Sequence, residues 1–141
     1  MKKFLGIFVL ILLLAASCGG KKEVKKESEE AKIAKDAFTV IESLKNAYSS
    51  KDLSAVERNT TKEGFPLVVK DIKKFDAVEL RFKPVWVEIE PDRVIINISW
   101  HGKWQKGAVS SDEKGMAIFI LKDKPMKVDK ILRSSPFEYP D

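Results

Sequence analysis

At Phe75 the spacing of apolar residues changes from helical to strand-like, and the two halves on either side must fold differently. From Ala31 to Ser50 the apolar positions Ile33, Ala37, Val40, Ile41, Leu44, Ala47 and Tyr48 recur at helical steps, giving one face of an amphipathic helix. Asp52 is placed as the N-cap of a short turn through Leu53, Ala55 and Val56, because its carboxylate can accept from the first free backbone N–H groups. Arg58 to Gly64 reads as a loop. A second helix is expected over Phe65 to Phe75, with Pro66 in its first turn and Val68, Ile72 and Phe75 as its buried stripe. Beyond Phe75 the period is two. Val78, Leu80 and Phe82 form one alternating set, and Val85, Val87 and Ile89 a second, set apart by Pro84. Pro91-Asp92 marks a turn. Val94, Ile96, Ile98, Trp100 and Trp104 form a long strand, with a bulge expected at Gly102. Ser110 to Lys114 is expected at a hairpin tip. Met116 to Leu121 is apolar on both parities, as in a strand covered on both faces. Asp123-Lys124-Pro125 turns the chain into a last, irregular strand through Val128, Ile131 and Leu132. Helices followed by consecutive strands imply an α+β domain, its helices packed on one face of an antiparallel sheet.

The N-terminus has a different logic. Met1-Lys2-Lys3 is a short positive end, Phe4 to Leu14 is an apolar run broken by Gly6, and Ala15-Ala16-Ser17 are small. That is the layout of a secretory signal over residues 1–17. The run falls short of the ~20 residues a membrane span needs. Residues 18–30 are polar: Gly19 and Gly20, then Lys and Glu residues with Val24 as the one hydrophobic side chain. Such a segment cannot bury enough surface to offset its ordering entropy, and we read it as a flexible tether to a domain over 31–141. Its last Glu residues can extend the first helix backwards through charged i,i+4 pairs.

Composition excludes several function classes. The formal charge is +5, of which Lys2 and Lys3 supply two, leaving +3 with acids interleaved. That is no nucleic-acid footprint, which needs clustered Lys and Arg on one face. One cysteine allows no intramolecular disulfide. With one histidine, a nitrogen–sulfur metal site has too few ligands, and no metal or other cofactor is expected. There is no nucleophile elbow, phosphate loop or CxxC pair.

Some residues carry more than one reading. His101 shares its parity with Asn97 and Ser99, the polar face of its strand, and a catalytic role would require a partner such as Asp112 or Glu113 across the hairpin. Trp86, Trp100 and Trp104 either fill the core, cover an open sheet face or line a ligand cavity. The stripe Asn97, Ser99, His101 and Lys103 is either solvated or an interface, including one between two copies of the chain.

Two resemblances refine this picture. Leu14-Ala15-Ala16-Ser17-Cys18 resembles the bacterial lipobox, with Ala15 where the commonest form has Leu. The resemblance implies acylation of Cys18 and stable membrane attachment, since one chain alone holds only marginally and these proteins carry more than one. Gly19, rather than Asp, implies the outer membrane facing the periplasm if the cell is diderm. Ala47-Tyr48-Ser49-Ser50-Lys51-Asp52-Leu53, His101-Gly102-Lys103-Trp104, Lys114 to Leu121 and Ile131 to Phe137 resemble the NTF2-like (SnoaL-like) superfamily over roughly residues 33–137. The resemblance implies a curved sheet wrapped round helices as a cone, whose mouth often forms a pocket. Fold does not give function, and no catalytic set of that superfamily maps on to this chain. The expectation is a non-enzymatic envelope lipoprotein binding a protein partner or small hydrophobic ligand. The alternatives are a SnoaL-like enzyme acting on a small hydrophobic molecule, or an accessory factor in envelope assembly or trafficking.

Overall fold

The computed structural model describes residues 26–141; the segment read as a signal peptide, Cys18 and most of the expected tether lie outside them. Helix α1 spans Glu29–Ser49, α2 Leu53–Asn59 and α3 Phe65–Val69, followed by strands β1 (Ala77–Ile89), β2 (Val94–Lys106), β3 (Val109–Lys122) and β4 (Lys127–Arg133). Ser28 caps α1 by accepting from the Ala31 N–H, with Glu29 and Glu30 in the first turn, where acids suit the helix dipole. Asp52 caps α2 as expected, accepting from Ala55 N at 3.1 Å. The helix runs on to Asn59, past Arg58, where a loop was expected.

The helix read over Phe65 to Phe75 is shorter than its apolar stripe. Regular α-helix stops at Val69, and Ile72 and Lys74 bond three residues back, to Val69 and Asp71. Val68, Ile72 and Phe75 are still buried. The break accompanies Asp71, whose side chain takes one tertiary and one local partner. Its Oδ2 accepts from Tyr139 N at 3.0 Å, and its Oδ1 lies 2.9 Å from the Lys74 ammonium. Burial pushes this carboxyl up, but Lys74 and the Tyr139 N–H outweigh it and hold it below the ordinary carboxylate range. A depressed folded-state value stabilises above the unfolded value, near 3.9, and that contribution is lost as pH falls through the folded one. The chain should therefore lose stability below about pH 4. Asp71→Asn should flatten that slope, read from denaturation midpoints at neutral and acid pH. An unchanged slope would show that Asp71 titrates normally.

The sheet is a curved antiparallel meander, β1-β2-β3-β4, with the helices on its inner face. Three expectations need correction. First, Pro84 does not separate two strands. β1 is continuous and shifts register between Pro84 and Trp86. Proline is tolerated because β1 is an edge strand, and the bulge puts Val87 and Ile89 on the same face as Leu80 and Phe82 while leaving Val85 exposed. Second, Gly102 is not a bulge; β2 keeps register through it. A Cβ there would sit 2.4 Å from the Trp104 ring, so glycine makes room for an indole. Third, Ser110 to Lys114 lies within β3. The hairpin turns at Gly107-Ala108, where Gly107 has φ 57°, the positive value that the first centre of a two-residue turn favours. The irregularity expected in the last strand is present, as a register shift between Ile120 and Leu121 against β4.

The core fills the cone. Trp104, Tyr48, Phe75, Phe119 and Phe137 are all less than 2% exposed. The Trp104 indole donates to Tyr48 OH at 3.4 Å, and that hydroxyl donates to the Phe137 carbonyl at 3.3 Å. Among the described residues no helix is long and apolar enough to cross a bilayer.

Candidate functional site

In a four-strand meander the first and third turns share one end of the sheet. Here these are the β1–β2 turn at Glu90 to Arg93 and the β3–β4 turn at Asp123 to Met126. With Ile33, Asp36 and Val40 of α1 they line a cleft of about 700 Å³. Small-molecule sites typically measure ~300–1,000 Å³. Val94 and Leu121 lie at the buried floor; Ile33, Val40, Ile89 and Met126 form half-buried apolar walls. The rim is charged: Asp36 on α1, Glu90, Asp92 and Arg93 on one turn, Lys122, Asp123 and Lys124 on the other.

Several rim groups are already fixed. Arg93 Nε donates to Glu90 Oε2 at 2.5 Å, and Glu90 N donates to the Arg93 carbonyl at 2.9 Å, which locks the turn. The Glu90 hydrogen bond pushes the Arg93 guanidinium further above its ordinary range. Lys122 Nζ lies 3.4 Å from Asp129, which also accepts from Thr61 Oγ1 at 2.8 Å. An apolar floor under a rim of both signs suits an amphipathic molecule, its chain or ring on Val94 and Leu121 and its polar end among the charges.

The residues singled out by sequence lie elsewhere, and in two places. Trp100 and Trp104 face the interior, 6% and 1% exposed, with rings edge to face at a centroid distance of 6.1 Å. Trp100 donates to the Ser134 carbonyl at 2.9 Å. Trp86 and His101 are on the outer face of the sheet. Trp86 is 43% exposed; His101 Nε2 lies 2.7 Å from Asp112 Oδ1, the partner anticipated across the hairpin. Parity within β2 puts Trp100 and Trp104 inward with the even positions and His101 outward with the odd ones; Trp86 on β1 pairs with Asn97 and so shares the outer face. The cleft residues were legible singly, as turn signals or as apolar positions of a helix or strand, and not as one site; meander topology brings Pro91 and Pro125 to the same end, beside Ile33 and Val40.

No protein-family model and no curated protein matches this chain. Solved structures do match. One is an NTF2-like superfamily protein from Salmonella enterica serovar Typhimurium LT2, at 8% identity and a TM-score of 0.61, covering 77% of this chain and 96% of that one. Another is an NTF-2-like protein of unknown function from Shewanella oneidensis MR-1, at 12% identity and a TM-score of 0.52, covering 70% and 95%. At such identities the likeness concerns backbone alone, and on that ground the chain has the NTF2-like fold, its cone occupied by its own aromatic side chains.

Proposed function

We propose that this chain is an envelope lipoprotein, attached to a membrane through lipid on Cys18, whose NTF2-like domain binds a small amphipathic ligand without transforming it. The observation that carries the binding reading is the cleft between α1 and the two turns, with its apolar floor and charged rim. Two features weigh for binding over turnover. The cone is filled by Trp104, Tyr48 and Phe137 rather than open. The buried carboxylates Asp71 and Asp129 are each engaged with a lysine and a further donor, rather than poised over an apolar chamber.

Native mass spectrometry of the chain, purified in detergent from the envelope of cells that make it, is the direct test. A bound mass lost on unfolding is expected. Met126→Trp, which puts an indole over the floor, should weaken that binding at least ~10-fold, the equivalent of about 1.4 kcal/mol, while leaving the circular dichroism unchanged. A clean apo mass, or a bound mass indifferent to Met126→Trp, would sink the cleft reading. A second mass corresponding to a chemically altered ligand would favour a SnoaL-like enzyme instead. Independently, Cys18→Ala should move the chain from the membrane to the soluble fraction.

A further inference from the structure

The outer face of the sheet is ordered in rows that run across the strands. Arg81, His101 and Lys114 pair in one row, and Lys83, Ser99 and Met116 in the next. Trp86, Asn97, Ile118 and Leu132 follow. A cationic band therefore adjoins an apolar one. Trp86 and Leu132 are 43% and 45% exposed, large apolar side chains left in water on the face opposite the helices.

We propose that this face docks on an anionic phospholipid bilayer. Exposed indoles favour the headgroup level, where the ring body is buried and the N–H stays wet. Lysine and arginine beside them meet phosphate, and such attraction decays within a Debye length, so the basic row must lie at the surface itself. At this end Arg81, Lys83, Lys103 and Lys114 outnumber Glu79 and Asp112. Arg81 is paired to Glu79 and His101 to Asp112; among the described residues, Lys83 and Lys114 have no carboxylate within ion-pair reach. A second copy would bring the same positive excess against itself, whereas anionic headgroups neutralise it. The inference rests on the proposed Cys18 attachment for proximity. The eleven residues from Gly19 to Glu29 span at most about 38 Å when extended, which keeps the domain at the bilayer.

The test uses the lipid-modified full chain in vesicles whose acyl chains are brominated, a short-range quencher of indole. Flotation of protein with vesicles reads the attachment; quenching reads the docked face. With phosphatidylglycerol present, emission should fall by up to the share of one of the three Trp residues, and by less on phosphatidylcholine alone. Trp86→Phe should abolish the drop, since Trp100 and Trp104 are inside the core. Lys83→Glu with Lys114→Glu should reduce it to the phosphatidylcholine level. Protein that floats but is unquenched, or is quenched equally with Trp86→Phe, overturns the docking; so does a dimer that buries Trp86 on the same vesicles. Protein that does not float fails the attachment reading instead, and the docking is then read from quenching at low salt with vesicles added to the free chain, where its absence overturns it.

Discussion

Phe137→Ala should lower the stability of this chain by about 3–5 kcal/mol, the usual cost of emptying a buried aromatic site. Phe137 is fully buried although it lies after the last strand. Its ring meets Tyr48 at 4.9 Å, and Phe82 and Phe119 each at 6.0 Å, distances at which aromatic pairs add to plain burial. The tail that carries it is held at three points. Ser134 O accepts from Trp100, Phe137 O accepts from Tyr48, and Tyr139 N donates to Asp71. Removing Ser134 to Asp141 takes away all three with the ring. Against a total of about 5–15 kcal/mol, the shortened chain should lose its cooperative unfolding transition altogether. Glu138→Ala is the control. Its carboxylate is 4.0 Å from Lys70 and more than half exposed, so the change should stay within about 0.5 kcal/mol. Denaturant unfolding reads all three. A midpoint for Phe137→Ala matching that of Glu138→Ala would mean that the tail is not part of the core in solution.

Phe137 also shows where sequence runs out. A single aromatic residue between Pro136 and Glu138 has no period, and only tertiary packing puts it at the centre of the cone. Where periods were long the elements were readable. The stripe from Ile33 to Tyr48 specified α1, and the even positions of β2 specified its inner face. Failures occurred where one sequence signal serves two physical causes. Ser110 to Lys114 is polar because, Ser111 apart, its side chains are exposed on both parities of β3, which in sequence resembles a turn. Gly102 signalled local backbone freedom but serves a neighbouring ring. Pro84 signalled a strand end but sits on an edge, where its missing N–H is tolerated. The cleft was least legible of all, because it exists only once topology brings two separate turns over one helix. For the same reason the four aromatic and histidine residues singled out from sequence divide between core and surface, and none of them lines the cleft.

Trp104→Ala is the second large change, with an expected cost of about 3–5 kcal/mol. It differs from Phe137→Ala in what it leaves behind. The Trp104 ring packs over Gly102 and beside Tyr48, so its loss opens an apolar chamber of indole size in the interior of the cone. Apolar cavities of this kind stay dry and accept small aromatic molecules. Free indole at 100 times its dissociation constant should therefore return about 2.7 kcal/mol to the variant, seen as a raised Tm, and nothing to the parent. Gly102→Ala probes the same contact from the strand side. Its new Cβ would stand 2.4 Å from the ring and 2.8 Å from Leu80, so overpacking should cost about 1–3 kcal/mol. In the Trp104→Ala background most of that cost should vanish, because the two closest atoms belong to the lost ring and only the flexible Leu80 side chain still crowds the Cβ; the difference is the coupling between the two sites. If Gly102→Ala is harmless and indole stabilises the parent as well, then the ring swings away from β2 in solution and the cone is open. The ligand would then belong inside the cone rather than at the turns, and an enzyme acting on a small hydrophobic molecule would become the stronger reading of this chain.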